Sequence, residues 1–346
     1  MTQDKTILIT GGAGFIGSNY ASRLLERGER IVIYDNLSRK GGDSNIRWLR
    51  KTYGADSFQL IHADVRDAAT LTAAVRDVDI IAHLAGQVAV TTSVLHPRDD
   101  FENNALGTFN VLEAARLSER NPIVLYASTN KVYGGMEDVR VVEQDTRYAY
   151  ADFPYGIPET RPLDFHSPYG CSKGAGDQYV RDYARIYGLP TVVLRQSCIY
   201  GPRQFGVEDQ GWVAWFIIAA VMGKPITIFG DGKQVRDVLH VSDLLDAYDK
   251  VIDQIDIAAG QVYNVGGGAE NVLSIWAEFQ PLLEKHLGQS IPVARSDWRP
   301  GDQKVFVADI RKAEQELGWM PKTDVQTGIS QLFAWVLENK DLFRTS

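Results

Sequence analysis

The run Ile7-Leu8-Ile9-Thr10-Gly11-Gly12-Ala13-Gly14-Phe15-Ile16-Gly17 constrains this chain more than any other feature. Four apolar or β-branched residues lead straight into a glycine-rich turn, and a helical pattern follows. Gly11, Gly14 and Gly17 are spaced to let the backbone turn tightly, approach a pyrophosphate and pack helix on strand. The N–H groups and positive dipole end of the helix then face the phosphates. A second apolar run, Ile31-Val32-Ile33-Tyr34, closes on Asp35, which lies 18 residues beyond Gly17. That is close to where an acidic residue meets the adenosine ribose, although a plain turn cap is the alternative. The pattern predicts a dinucleotide-binding βαβ unit.

The rest of the first half repeats the rhythm. Strands are expected at 6–10, 30–34, 57–62, 79–83, 123–127 and 191–196, with helices between them, including 15–27 and about 99–118. Helix 15–27 places Ile16, Tyr20, Leu24 and Leu25 on one face. The expected fold class is α/β, a Rossmann-type doubly wound parallel sheet with a smaller C-terminal α/β substrate lobe. The expected domains are 1–196, with later segments returning to it, and 197–346. With 346 residues the chain is long enough for either one large domain or two.

Charge and composition narrow the partners. A net charge of −8 gives no electrostatic ground for nucleic acid or an anionic membrane. No apolar stretch reaches spanning length, and Met1-Thr2-Gln3-Asp4-Lys5 lacks the build of a signal peptide. With Cys171 and Cys198 as the two cysteines, the expected setting is a reducing cytoplasm. No Cys/His cluster has metal spacing, so no metal is expected.

The chemistry centres on Tyr169 and Lys173, four residues apart and so on one face of a helix. A nearby ammonium favours phenolate, so Lys173 is expected to lower the Tyr169 pKa. Tyr169 then serves as a general base, taking a hydroxyl proton while hydride leaves the same carbon. Ser128-Thr129 closes a predicted strand upstream.

The glycine turn, Asp64-Val65, His83-Leu84-Ala85-Gly86, Asn103, Ser128-Thr129 and the Tyr169/Lys173 pair together resemble the extended short-chain dehydrogenase/reductases. That family contains the nucleotide-sugar epimerases and dehydratases, and the resemblance runs through the whole chain. It implies tightly bound NAD, held by Gly11, Gly14, Phe15, Ile16, Gly17, Asp35, Asn36, Ser38, Asp64, Val65, Leu84, Ala85, Gly86, Asn103, Ser128, Tyr169 and Lys173. Asp35 favours NAD over NADP, because it would repel a 2′-phosphate even with Arg39 and Lys40 nearby. The resemblance also makes Tyr169, Lys173 and Thr129 the catalytic set, with Thr129 bonding the reacting sugar hydroxyl. In the 4,6-dehydratases of the group an Asp-Glu pair follows the threonine, whereas here Asn130-Lys131 stands. Asn130 cannot donate a proton in that role, which leaves reversible hydride transfer.

Longer phrases, such as Ser128-Thr129-Asn130-Lys131-Val132-Tyr133-Gly134 and Gly232-Lys233-Gln234-Val235-Arg236-Asp237, resemble the 2-epimerases of CDP-linked deoxyhexoses within that family. They imply a CDP-sugar inverted at C2 through a transient 2-keto sugar. Candidate substrate contacts are Thr129, Asn130, Ser197, Arg203, Gln204, Gln210, Arg236, Arg299 and Asp302, with the arginines offered to the diphosphate. One departure is Ser197-Cys198, where many epimerases carry an asparagine. The alternatives left open are a UDP- or CDP-sugar epimerase acting at C4, and a non-catalytic NAD-sensing protein. Family precedent points to a homodimer or homotetramer built on the helices near 99–118 and 169–187.

Overall fold

The computed structural model describes residues 5–298 and 302–344. The chain divides into two compact units. The first comprises Met1–Val132, Phe165–Arg195 and Leu245–Tyr263; the second comprises Tyr133–Asp164, Gln196–Leu244 and Asn264–Ser346.

The first unit is organised by a seven-stranded sheet. Its strands include β1 (Thr6–Thr10), β2 (Arg30–Asp35), β3 (Gln59–His62), β4 (Ile80–His83) and β5 (Ile123–Thr129). These five run parallel in the order β3-β2-β1-β4-β5, and Thr191–Gln196 then Val262–Val265 extend the sheet beyond β5. The strand order reverses between β1 and β4. In open α/β sheets that reversal leaves a crevice at the carboxyl ends of the strands, where ligands bind. Every residue of β1 is buried, which is why its sequence is continuously apolar or β-branched rather than alternating. Leu8, Ile81, Val124 and Val193 share one core cluster with Val111, Leu112 and Val180 from the flanking helices. Each such side chain, fully buried, contributes about 1.5–3 kcal/mol relative to exposure.

The α/β class and the parallel sheet agree with the sequence reading, but the helix expected at about 99–118 is corrected. It is three segments: Pro97–Phe101 is α-helical, Glu102–Leu106 is a π turn and Gly107–Leu117 is α-helical again. The wider turn accompanies an inward-facing Asn104, buried and hydrogen-bonded to Gln87, Asp100 and Ser172. Such bulges concentrate at functional sites. Periodicity cannot reveal a single wide turn inside an otherwise regular apolar stripe.

The second unit contains three small sheets. Val272–Ser274, Val235–His240 and Val305–Phe306 form one, with Cys198–Tyr200 paired to Val235–His240. Ile226–Phe229 pairs with Val293–Ser296, and Val141–Glu143 with Tyr148–Tyr150. Its core is aromatic: Trp276 and Phe279 surround Phe216 of the Trp212–Met222 helix, next to Leu332 and Val336 of Val325–Glu338. Trp212, Trp215 and Phe216 are thus core or core-flanking residues. Both cysteines are free; Cys171 is exposed and Cys198 half-buried. Among the described residues no helix is long and apolar enough to cross a membrane.

One ion pair lies wholly inside the first unit. Arg195 Nε and Nη2 meet the two oxygens of Asp177 at 2.9 Å each, with both side chains almost without solvent contact. Removing one member of such a pair strands the other charge in an apolar interior. Arg195→Met is therefore expected to lower the unfolding free energy by about 3–5 kcal/mol. Urea denaturation followed by fluorescence measures this, and an unchanged midpoint contradicts it.

Candidate active site

The glycine turn joins β1 to the helix Phe15–Glu26. Gly11 has a φ of +69°, and a Cβ there would stand 2.8 Å from the Ala85 amide nitrogen. Gly17 has no room for a side chain either, since a Cβ would collide with the Gly11 carbonyl and lie 2.6 Å from Gly12 Cα. The turn is thus drawn against both its own helix and the loop after β4. Thr10 completes this junction by accepting the amides of Leu84 and Ala85 through Oγ1, at 3.2 Å each.

Among the described residues no side chain caps the amino end of that helix, whose N-cap is Gly14. Its first-turn amides face outward behind a residue with no Cβ, a geometry suited to an anion. Asp35 ends β2 and accepts the amides of Ala13, at 2.9 Å, and Leu37, at 2.8 Å. Burial pushes its carboxyl up, against those two bonds. The ribose and cap readings of Asp35 are therefore not exclusive, because the carboxylate already braces the turn. Asn36 donates to Asp64 and accepts from Ser38, while Arg66 holds the Asp64 carboxyl well below the usual range. Val65 is buried, and its carbonyl accepts Asn110 Nδ2. Asn103 is half-buried and its side chain bonds back along its own helix, to the Asp99 carbonyl; Asn104 is the residue turned inward. The residues present fit a dinucleotide: an uncapped helix end, close-packed glycines and an acid at the end of β2.

Tyr169 and Lys173 lie in the helix Ser167–Tyr187, and both are buried. Pro168 opens the helix, where a missing N–H is harmless. The Ser93 hydroxyl accepts the Tyr169 amide at 3.1 Å. Thr129, at the end of β5, acts on the Tyr169 side chain and works to lower its pKa. Asn130 is buried beside it, accepting from Thr129 at 3.3 Å. The Lys173 ammonium sits 4.3 Å from the ring centroid of Tyr126, in a cation–π arrangement.

The expected lowering of the tyrosine pKa is corrected here. Burial dominates and pushes Tyr169 up to about 12, with Thr129 opposing and the Asp100 charge assisting. Lys173 is itself pushed down to about 7 by burial, against the fields of Asp177 and Asp100. The reason is solvent exclusion: a dry pocket disfavours both charged forms before either can help the other.

Three groups around this pair are absent from the sequence reading. Asp177, one turn beyond Lys173, accepts the Ser128 hydroxyl at 2.8 Å as well as Arg195. Its spacing from Lys173 matches that of Lys173 from Tyr169, so the helical face was there to be extended. Asp100 and Ser172 bond each other at 2.5 Å across 72 positions, and nothing in the sequence links them. Ser128 is thus turned to Asp177 and not left free.

In the second unit, Arg236 pairs with Asp302 at 2.9 Å and also donates to the Val235 carbonyl. Two candidate substrate residues are therefore in direct contact. Ser197 hydrogen-bonds Asp237, which burial pushes up to about 6. Arg203 adopts a left-handed φ of +69°, lies 5.6 Å from the Trp335 ring and is lowered to about 10 by burial. Gln204 Nε2 donates to the Ile199 carbonyl, while its buried Oε1 has no partner among the described residues. Gln210 is half-buried and exchanges backbone bonds with Val207. Arg299 lies outside the described residues. Among the described residues, no His/Cys/Asp/Glu cluster is arranged to hold a metal.

The doubly wound parallel sheet and the glycine turn after β1 are those of a Rossmann-type short-chain dehydrogenase/reductase. Within that class the chain belongs to the GDP-mannose 4,6 dehydratase family, whose model matches residues 8–332. It is 46% identical over 336 residues to the CDP-paratose 2-epimerase of Salmonella typhi, covering 95% of this chain and 98% of that one. Two solved structures are similar over nearly the full length. The Thermotoga maritima UDP-glucose 4-epimerase with UDP-glucose has a TM-score of 0.83 at 28% identity, covering 97% of this chain and 99% of that one. The Thermus thermophilus UDP-glucose 4-epimerase with NAD has a TM-score of 0.79 at 30% identity, covering 99% and 100%.

His83 of β4 closes this region from beneath, bonding Thr10 at 2.8 Å and Thr108 at 3.0 Å with no solvent contact. Burial pushes its pKa down to about 3. The folded chain therefore keeps His83 neutral while the unfolded chain protonates it below about 6.5. Its contribution is complete above that pH and is lost as pH falls toward about 3, by about 1.4 kcal/mol per pH unit. The expected outcome is that His83→Gln flattens the acid limb of a stability–pH curve between pH 6 and 4. Parallel curves for the two proteins would refute it.

Proposed function

We propose that this chain is an NAD-dependent isomerase that inverts C2 of a CDP-linked deoxyhexose of the paratose/tyvelose type. The observation that carries this is the 46% identity to a CDP-paratose 2-epimerase along essentially the whole chain, with the buried Thr129–Tyr169–Lys173 set intact.

The uncapped helix end at Gly14 would hold the cofactor pyrophosphate, and Asp35 its adenosine ribose. Phe15, Ile16, Asp64, Val65, Leu84, Ala85 and Gly86 are assigned to that path. When bound, NAD supplies the hydride acceptor and later the donor. Tyr169 takes the C2 hydroxyl proton, and Thr129 holds the sugar oxygen against it. Lys173 provides positive charge behind the phenol and would hold the nicotinamide ribose. The resulting 2-keto sugar turns over and regains hydride on its other face, and Tyr169 returns the proton. No acid is needed beyond that tyrosine, which agrees with an amide at Asn130. Arg236 and Asp302, with Arg299, are assigned to the CDP moiety, and Ser197, Arg203, Gln204 and Gln210 to the sugar and diphosphate. Such forked cations suit phosphate oxygens. The dinucleotide domain is taken as 1–196 with later segments returning to it, and the lobe carrying these contacts as 197–346; Leu245–Tyr263 is such a returning segment, whereas Tyr133–Asp164 groups with the second unit. Two free cysteines support a reducing, cytoplasmic setting.

Purified protein with no added NAD, incubated in D2O with CDP-, UDP- and dTDP-sugars, tests the reading by NMR. Inversion at C2 of a CDP-deoxyhexose without deuterium at that carbon is expected. Deuterium wash-in, or inversion at C4 of a UDP-sugar alone, overturns it. Tyr169→Phe is expected to lower turnover by about 10²–10⁴-fold with NAD still bound.

The working form is proposed to be a homodimer, or a tetramer of such dimers. Leu95, Phe101, Leu117, Ile186 and Tyr187 are exposed on the helices 90–117 and 167–187, and Phe109 meets Tyr179 at 6.0 Å between them. Ile186 is 66% exposed, a cost for a monomer that a second copy removes. Ile186→Glu is expected to shift sedimentation from dimer to monomer; a wild-type monomer overturns the assignment.

A further inference from the structure

Asp100 has no solvent contact, yet none of the steps above uses it. It lies in Pro97–Phe101, just before the π turn. Its Oδ2 accepts the Ser172 hydroxyl at 2.5 Å and its Oδ1 accepts Asn104 Nδ2 at 3.1 Å. Asn104 in turn bonds Ser172 at 3.1 Å and both the amide and the carbonyl of Gln87, at 2.9 and 3.0 Å. The cluster therefore joins the residue before Lys173 to the loop that carries Leu84–Gly86.

The charges around Lys173 are few. Asp177 faces it from its own helix, Asp100 from Pro97–Phe101, and neutral His83 from β4. Tyr126 of β5 presents its ring, and Tyr169 its phenol. Asp177 is already matched by Arg195, both oxygens being engaged by the guanidinium. Asp100 is held by a hydroxyl and an amide, both neutral donors, and burial pushes its carboxyl up against those two bonds and the field of Lys173. A buried carboxylate of this kind persists only near compensating positive charge.

We propose that Asp100 is a positioning residue that holds Ser172 and Asn104 in place and, beside Asp177, supplies buried negative charge that favours the ammonium of Lys173 behind Tyr169. The proposal rests on the reading of Tyr169 and Lys173 as the working pair. The negative charge acts on both members of that pair, favouring the ammonium and opposing the phenolate. Asp100 thus ties the tyrosine's ionisation to positive charge arriving in the site.

The test is ¹³C NMR of protein labelled at lysine Cε, with Lys173→Arg used to assign the resonance. In the wild type Lys173 is expected to titrate near 7. Asp100→Asn is expected to move that midpoint down by about one pH unit. Ser172→Ala, which breaks the bond but keeps the charge, is expected to move it by less than half as much. Asp100→Ser removes the charge with less bulk and provides a second neutral variant should the first not fold. An unmoved Lys173 midpoint in a folded neutral variant overturns the proposal. In turnover, Asp100→Asn should shift the alkaline limb of kcat to lower pH while leaving KM unchanged; an unshifted limb likewise counts against it. A wild type inactive on every CDP-sugar sinks the functional reading alone, because the NMR comparison needs no substrate.

Discussion

An ammonium group sealed from water has to be balanced from inside, and much of the first unit is arranged around that demand. Lys173 stands over the face of Tyr126, whose hydroxyl donates to the Lys173 carbonyl at 3.2 Å. Excluding water from such an ion costs several kcal/mol, which aromatic and carboxylate neighbours only partly offset. The remainder shows as a lysine near 7 beside a tyrosine near 12. Both displacements have one cause, and together they leave the phenol protonated at neutral pH. Under the proposed reading, the pair becomes reactive only when the site gains positive charge. An oxidised pyridine ring carries that charge and a reduced one does not.

The same crowding explains why the turn after β1 is built from glycine. Thr10 links its hydroxyl to His83 and to the amides of Leu84 and Ala85, so the ends of β1 and β4 are held in register. Gly11 then passes the Ala85 backbone with no space for a side chain. A loop held this close to the sheet crevice has little freedom to shift when a ligand enters. Asp35 adds a further brace through the Ala13 amide. Preorganisation of this kind lowers the ordering cost of binding a long, flexible dinucleotide.

The parts of the site that were legible in the sequence are those written in local spacing. A fully buried parallel strand reads as a continuous apolar run, and β1 does so. A helical pair reads as i and i+4, and Tyr169 and Lys173 do so. What the sequence hid is non-local or energetic. Asp100 and Ser172 meet across the fold, and the π turn that accompanies the inward Asn104 leaves no periodic trace. Arg236 and Asp302 were each legible as candidates, yet their contact depends on the pairing of Val235–His240 with Val305–Phe306. The sign of the tyrosine shift was misjudged because a neighbour's charge can be read from spacing, whereas the dryness of the pocket cannot. Burial is a property of the whole packing, and here it outweighs the neighbour.

Membership of a family named for a dehydratase sits beside an epimerase reading without conflict, and the residues after Thr129 show why. Eliminating water from a sugar requires a proton donor to the leaving hydroxyl and a base for the carbon acid. Asn130 is a buried amide whose Oδ1 accepts from Thr129, and an amide neither donates nor accepts a proton at neutral pH. Inversion by hydride loss and return asks for less. One group removes the proton from the sugar oxygen and, by microscopic reversibility, the same group restores it. The scaffold and its tyrosine–lysine pair then serve both reactions, and the side chain at position 130 decides whether a second proton transfer is within reach. Under the proposed reading, an amide there suits oxidation and reduction of a single carbon.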